Sequence, residues 1–218
     1  MSLLHHLQSV TQVFIRQKRE LAEVFGFETR NKYSIELEDG TQVGFAAEQQ
    51  KGFFGILMRQ ALGHWRKFDI NLYGPERQLE FVAHHPFRFY YQKLEVRGVS
   101  GELIGSLERR FEILGKRFDL TDRSGQVLMS VRSPLWRIWT FPFKKDGQEH
   151  AVVVKKWGGL VKEIFLDADS FALNFISPNL TPDHKILLLA AAIFVDLRYF
   201  EKKAGGGASS MYDLMTPG

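Results

Sequence analysis

Four oxygen-bearing side chains near the C-terminal end of the chain have the chemistry of a cation site. Asp167 and Asp169 lie two residues apart, and Asn174 and Asn179 follow them. Carboxylate and amide oxygens suit Ca²⁺, which takes about six to eight oxygen ligands. The spacing is not that of an EF-hand, because the required Gly and Glu positions are not filled. The same residues also fit an ordinary solvent-facing strand end, which is the interpretation that we favour, and any calcium site here would be weak.

A second group of residues has the chemistry of a membrane contact. Between residues 51 and 68, apolar side chains recur at helical spacing and basic side chains take other positions. A basic amphipathic helix with Trp and Phe is typical of segments that lie among lipid headgroups. The residues that we expect to make this contact are Lys51, Phe54, Arg59, Trp65, Arg66 and Lys67. The pattern fits equally well a helix that packs on the protein and exposes its charges to solvent.

The longest apolar run, Ile186 to Val195, has ten residues and is flanked by Lys185 and Asp196. A helix that crosses a bilayer needs about 20 apolar residues. A charge within such a span costs about 2.5–3.5 kcal/mol. Because the run is short and apolar on every side, we predict a buried core helix over residues 184–200, with Pro182 near its start.

Much of the remaining sequence alternates between apolar and polar residues, which is the period of β-strands. Strand, Gly-containing turn and returning strand recur over residues 33–47, 68–82 and 118–131. The 19 phenylalanines also favour β structure. Such repeats are too few to close a propeller, so we predict an all-β fold with one closed antiparallel barrel of about twelve strands. The apolar C-terminal helix would fill its interior.

The two ends of the chain differ in composition. Apolar residues at helical spacing predict an N-terminal amphipathic helix over residues 1–14; they are Leu3, Leu7, Val10 and Phe14. Residues 204–218 are rich in Gly and small residues at their start and are predicted to form a flexible tail.

Several function classes find no support in the sequence. The chain has no cysteine, which excludes disulfides, thiol catalysis and thiolate metal sites. It has no P-loop, dinucleotide fingerprint or Ser-His-Asp pattern, so we expect that it is not an enzyme. His84 and His85 would face opposite sides of a strand and could not chelate one metal together. The aromatic and basic segment 135–143 matches no nucleic-acid module, so we expect no nucleic-acid partner.

Short motifs, in order from residue 15 to residue 201, resemble those of the phospholipid scramblase family. They are Ile15-Arg16-Gln17-Lys18, Gly26-Phe27-Glu28-Thr29, Asn31-Lys32-Tyr33, Ala46-Ala47-Glu48, Gly105, Trp157, Asp167-Ala168-Asp169-Ser170-Phe171, Phe175, Leu180, Lys185, Asp196 and Phe200-Glu201. The resemblance implies a tubby-like barrel around a central hydrophobic helix, forming one domain over residues 1–203. It also implies a cytoplasmic protein at the inner face of a membrane, with calcium-stimulated, ATP-independent movement of phospholipids between leaflets.

The sequence departs from the family in ways that limit this inference. The palmitoylated Cys clusters and the Pro-rich N-terminus of animal members are missing, which favours a prokaryotic-type member. The proposed calcium segment of the family has an acid where this chain has Asn179, so the site has lost a charge. Two functions remain open. One is a scramblase-like protein that binds or moves phospholipids at an anionic membrane surface; the other is a soluble binding or scaffold module, for a protein or a small ligand, that moves no lipid.

Overall fold

The computed structural model describes residues 2–18, 29–49, 68–86, 92–110, 115–134, 140–155 and 170–199. Within these ranges the chain forms a closed antiparallel β-barrel of twelve strands with two helices. The elements are α1 (Leu3–Ser9), β1 (Gln12–Gln17), β2 (Thr29–Glu36), β3 (Gln42–Gln49), β4 (Phe68–Tyr73), β5 (Leu79–His85), β6 (Lys93–Gly98), β7 (Leu103–Arg110), β8 (Gly115–Asp122), β9 (Val127–Pro134), β10 (Thr140–Lys145), β11 (Gln148–Val154), β12 (Ser170–Phe175) and α2 (Pro182–Tyr199).

Each strand pairs with its neighbour in sequence, and β1 closes the barrel by pairing with β12. Alternate side chains therefore face the interior along every strand. On β12 these are Phe171, Leu173 and Phe175, which belong to the buried core. The predicted all-β barrel of about twelve strands is confirmed.

The helix α2 fills the interior of the barrel. Every residue from Ile186 to Val195 is at most 2% exposed, as expected for a helix surrounded by apolar strand residues. The helix passes so close to β7 that a Cβ added at Gly105 would lie 2.8 Å from Leu187 Cδ1 and 2.3 Å from the carbonyl oxygen of Thr121. Only glycine fits at that contact. The predicted core helix is confirmed, with α2 running from Pro182 to Tyr199.

The helix α1 is shorter than predicted and covers one end of the barrel, which we call the α1 end. Leu3 and Leu7 are fully buried, and a Cβ added at Gly44 would lie 2.9 Å from Leu3 Cδ1. The helix ends at Ser9, and Phe14 lies in β1 instead. The prediction of a helix over residues 1–14 was wrong beyond Ser9, because the β-branched and aromatic residues from Val13 to Ile15 suit a strand.

Four hairpins at the α1 end share one turn geometry. In each, the first residue donates to the carbonyl of the fifth, and the fourth donates to the carbonyl of the first. The turns span residues 37–41, 74–78, 98–102 and 122–126. The fourth residue has a positive φ in all of them: 83° at Gly40, 63° at Arg77, 89° at Gly101 and 84° at Gly125. The sequence repeat is thus also a repeat in the backbone, with Arg77 in a position that favours glycine.

The opposite end of the barrel, which we call the far end, is where α2 finishes. Because the strands alternate in direction, β1, β3, β5, β7, β9 and β11 all run towards it. The chain therefore leaves the barrel at the far end before residues 50–67 and again before residues 156–169. The predicted membrane segment and the segment that contains Asp167 and Asp169 are therefore both connected to the barrel at the far end.

Candidate functional site

The predicted calcium ligands are only partly within the described residues. Asp167 and Asp169 lie outside them. Asn174 lies on β12, and its side-chain oxygen accepts a hydrogen bond from the amide of Gln12. Asn179 is exposed in the turn before α2, towards the α1 end. Across the described ranges no group of three or more acidic or imidazole side chains is placed to hold a metal ion, and the calcium site stays a prediction.

The predicted membrane residues, Lys51, Phe54, Arg59, Trp65, Arg66 and Lys67, also lie outside the described residues. Phe68, which continues their apolar spacing, is the first residue of β4. Its ring stacks on that of His85 with the centroids 4.7 Å apart. Phe68 is therefore not part of the predicted helix. In the part of the chain that the structure covers, no helix combines the length and the apolar character needed to cross a bilayer.

The interior of the barrel is apolar except near the far end, where polar side chains surround the last turns of α2. Asp196 is 4% exposed. Its Oδ2 accepts a hydrogen bond of 2.9 Å from the hydroxyl of Tyr33 on β2, and its Oδ1 lies 3.2 Å from Lys155 Nζ just after β11. A buried carboxylate is stable only with such partners. These contacts connect α2 to β2 and to the residue that follows β11, which lie on either side of the β1–β12 pair.

A second interior chain of hydrogen bonds crosses β1, β2 and β3. Gln17 Nε2 donates to Asn31 Oδ1 at 2.8 Å, and Asn31 Nδ2 donates to Glu48 Oε2 at 2.6 Å. Glu48 is fully buried and faces inward, since Ile70 opposite it on β4 belongs to the core. A fully buried carboxylate costs free energy unless hydrogen bonds offset its desolvation. The far end of the interior therefore holds a polar layer in which Gln17, Asn31 and Glu48 are joined by hydrogen bonds.

The two adjacent histidines behave as the strand period predicts. His84 faces outward, where its Nδ1 contacts the carboxylate of Asp69 on β4. His85 faces inward and stacks on Phe194 of α2, with ring centroids 5.5 Å apart. The two imidazoles lie on opposite faces of the barrel wall and serve different contacts.

Charged groups hold α1 at both of its ends. Glu80 of β5 accepts a hydrogen bond of 2.8 Å from the backbone N–H of Leu3, and Ser2 caps the helix by accepting from the N–H of His5. At the other end, Lys185 Nζ donates to the carbonyl oxygens of Leu7, Gln8 and Val10 at 2.7, 3.1 and 2.8 Å. A carboxylate at the N-terminus and an ammonium at the C-terminus complement the helix dipole.

The sequence did not predict these polar contacts. Tyr33 and Glu48 were noted only as parts of matching motifs, and Lys185 and Asp196 also as the charges that flank the apolar run; none was given a partner. One signal was available: Glu48 lies two residues after Ala46, a core residue on the same strand, so it has the same inward parity, and a charge at such a position demands a partner. The identity of the partner depends on the register around the closed barrel, which no local pattern reveals.

Comparison with known proteins extends the resemblance to the whole fold. A sequence model of the Scramblase family matches residues 2–202, which include α1, all twelve described strands and α2. Phospholipid scramblase 1 of Rattus norvegicus is 27% identical over 214 residues, covering 91% of this chain and 62% of the relative. Phospholipid scramblase 2 of Bos taurus is 26% identical over 217 residues, covering 93% of this chain and 72% of the relative.

A fungal protein, altered inheritance rate of mitochondria protein 25 of Saccharomyces cerevisiae, is 23% identical over 231 residues, covering 87% of this chain and 70% of the relative. No solved structure matches. The chain spans less than two thirds of the length of the rat relative. Since the family model covers nearly all of the sequence, the chain belongs to the Scramblase family.

Proposed function

We propose that this protein binds phospholipids at a membrane surface and moves them between leaflets, as the names of its relatives describe for those proteins. The observation that carries the proposal is the match of the Scramblase family over residues 2–202. The phospholipid scramblases of rat and cattle are similar over more than nine tenths of this chain. The proposed location is the cytoplasmic, inner face of a membrane, where the protein would be peripheral.

The filled barrel limits how such a protein could act on lipid. Because α2 occupies the interior with buried apolar residues from Ile186 to Val195, a lipid headgroup would have to displace a packed core helix to pass through. That would expose apolar surface at about 25 cal/mol per Å². We therefore propose that lipids meet the outside of the barrel, at the far end, where residues 50–67 leave β3.

Within that segment, Lys51, Arg59, Arg66 and Lys67 would meet anionic headgroups, and Phe54 and Trp65 would enter the interface. Vesicle co-sedimentation tests this contact. Wild-type protein should sediment with vesicles that contain phosphatidylserine and less so as salt rises, because the attraction is screened. A triple variant with Arg59→Glu, Arg66→Glu and Lys67→Glu should stay in the supernatant. Equal sedimentation of both proteins would remove this segment from the contact.

A reconstituted lipid-movement assay tests the activity itself. Fluorescent lipid in the inner leaflet of vesicles is protected from a membrane-impermeant quencher unless it is moved outward. Wild-type protein should increase the quenched fraction over that of empty vesicles. Vesicle binding without lipid movement would favour the alternative, a binding or scaffold module of the same fold.

Weak Ca²⁺ binding is a separate part of the proposal. Asp167 and Asp169 would supply the carboxylates, and Asn174 and Asn179 the amide oxygens, with a dissociation constant on the order of 10⁻³ M. Calorimetric titration of wild type against Asp167→Ala and Asp169→Ala tests it, with exposed Asp183→Ala as the matched control. Equal heats for all four proteins would eliminate the site.

A further inference from the structure

Three arginines stand directly opposite one another on neighbouring strands of the barrel. The register pairs Arg110 of β7 with Arg117 of β8, and Arg117 with Arg132 of β9. Neighbouring strands lie about 4.8 Å apart, so the row spans roughly 10 Å. Like charges placed opposite each other on a sheet destabilise it. We call these residues the arginine row.

The arginine row faces outward. The next residues along β8 and β9, Phe118 and Val131, belong to the interior core, and side chains alternate along a strand. The Arg110 side chain is 45% exposed and that of Arg117 is 35% exposed. Arg132 is exposed as well. All three side chains are therefore at least partly exposed to solvent, near the far end of the barrel.

A buried carboxylate lies close to two of the three arginines. Asp119 of β8 has a side chain only 5% exposed; its Oδ2 lies 2.8 Å from Arg110 Nε and its Oδ1 lies 3.5 Å from Arg117 Nε. The hydroxyl of Ser130 donates to Oδ1 at 2.7 Å. Burial alone would raise the pKa of Asp119, but hydrogen bonds from Ser130 and Arg110 and the charges of both arginines hold that pKa below its usual value. The carboxylate therefore stays ionised, holds Arg110 by a hydrogen bond and lies within ion-pair distance of Arg117.

The negative charge near the row does not balance its positive charge. Glu108 lies 3.4 Å from Arg110 but also 3.4 Å from Lys93, so it is shared between two cations. Within the described ranges Arg132 makes no ion pair. Among the described residues, three arginines and Lys93 face three carboxylates: Asp119, Glu108 and Glu95, the last of which is shared between Lys93 and Arg97. This leaves an excess of positive charge beside the hydrogen-bonded guanidinium group of Arg110.

We propose that the arginine row binds the phosphate groups of an anionic lipid surface. Guanidinium forks match phosphate oxygens in bidentate pairs, and side chains that are already oriented lose less entropy on binding. A row about 10 Å long can contact more than one phosphate group at a lipid surface. The proposal rests on the membrane function proposed above and assigns part of the contact to β7, β8 and β9, separate from residues 51–67.

The charge-reversing variant Arg132→Glu tests the row, because Arg132 has no described ion pair to break. Arg123→Glu is the matched control: Arg123 is exposed in the turn of the same β8–β9 hairpin, at the α1 end. Both variants are measured by co-sedimentation with vesicles of phosphatidylcholine alone and with added phosphatidic acid. We expect Arg132→Glu to bind the anionic vesicles about 30-fold more weakly, from about fivefold for each unit of charge near such a surface. Arg123→Glu should bind like wild type.

The thermal midpoint separates loss of binding from loss of fold. Arg132→Glu should melt no lower than wild type, since it replaces a like-charge neighbour of Arg117 with an opposite charge. Arg132→Lys keeps the charge and should recover most of the binding. If Arg132→Glu binds anionic vesicles as tightly as Arg123→Glu does, the arginine row does not bind lipid phosphates, while the proposed membrane function stands.

A soluble competitor distinguishes the source of the phosphate. Inositol hexakisphosphate should reduce vesicle binding of wild type. If it raises the thermal midpoint of wild type but the protein ignores anionic vesicles, the lipid assignment is overturned and the ligand is a soluble polyphosphate. If wild type neither binds vesicles nor responds to the competitor, both the arginine row and the membrane function are wrong.

Discussion

Lys185 Nζ donates a hydrogen bond of 2.7 Å to the carbonyl oxygen of Leu7, although the two residues are 178 positions apart in the chain. The ammonium also lies 4.9 Å from the centre of the Phe175 ring. Burial lowers the pKa of Lys185 from its usual value. One side chain at the start of α2 thus fixes the C-terminal end of α1 over the barrel.

Replacing Lys185 with methionine should loosen α1. The substitution keeps most of the aliphatic volume but leaves the carbonyls of Leu7, Gln8 and Val10 without this donor, at a cost of about 1–3 kcal/mol in the free energy of unfolding. Hydrogen exchange should become faster at the amides of α1 while those of α2 change less. Lys145→Met, at an exposed position on β10, is the control and should exchange like wild type. Unchanged exchange in Lys185→Met would show that α1 is held by Leu3 and Leu7 alone.

Arg77→Gly should stabilise the protein. Arg77 has a φ of 63° at the position where the other three equivalent turns have glycine. The left-handed conformation costs about 1–2 kcal/mol for a residue with a Cβ, and glycine loses part of this gain to the entropy of the unfolded chain. We expect a net gain of about 0.5–1 kcal/mol and a thermal midpoint about 2 °C higher.

The reverse substitution is the matched control for that prediction. Gly101 has a φ of 89°, and an added Cβ would meet no atom within 4 Å. Gly101→Arg should therefore lower the free energy of unfolding by about 1 kcal/mol through the backbone alone. Shifts of the same sign in both variants would contradict the equivalence of the two turns.

The helix α2 and the strands could be predicted because their signals are local. The apolar run from Ile186 to Val195 is too short to cross a bilayer and too apolar for a surface helix, so a helix buried in the core was the remaining interpretation. The hairpins could be read from alternation and from turns such as Asp39-Gly40. The number of strands followed from the repeat.

The polar contacts could not be predicted, because they depend on how distant strands meet. Nothing local indicates that Tyr33 hydrogen-bonds Asp196, 163 residues later in the chain, or that Arg110, Arg117 and Arg132 share one row. Both follow from register, which the turns set hairpin by hairpin. The prediction of where α1 ends failed for a different reason. Helical spacing is shared by Leu3, Leu7, Val10 and Phe14, but only Leu3 and Leu7 are buried residues of the helix.

Leu188→Asp should unfold the protein. Leu188 is fully buried in the middle of α2, so the new carboxylate would be buried without a partner at a cost of several kcal/mol. Circular dichroism during urea titration should show no cooperative transition, or one at much lower urea. Leu188→Ala is the graded control and should cost about 2–5 kcal/mol while leaving the fold intact. A Leu188→Asp protein that unfolds like wild type would contradict the burial of α2.

Asp119→Asn should remove one part of the acid sensitivity of the protein. The folded pKa of Asp119 is held below 3.8, its usual value, because hydrogen bonds and arginine charges outweigh the effect of burial. A carboxylate with a lowered folded pKa contributes stability above its unfolded pKa and loses that contribution as the pH falls through its folded pKa. At neutral pH the variant should be less stable by about 1.5–3 kcal/mol, the range for hydrogen bonds to charged groups. That difference between wild type and variant should persist at pH 5 and shrink below pH 3.8.

Urea unfolding across this pH range measures the difference in stability, with Glu38→Gln at an exposed turn position as the control. If the difference between wild type and Asp119→Asn stays constant down to the lowest pH at which both proteins fold, Asp119 is not the ionised anchor of the arginine row.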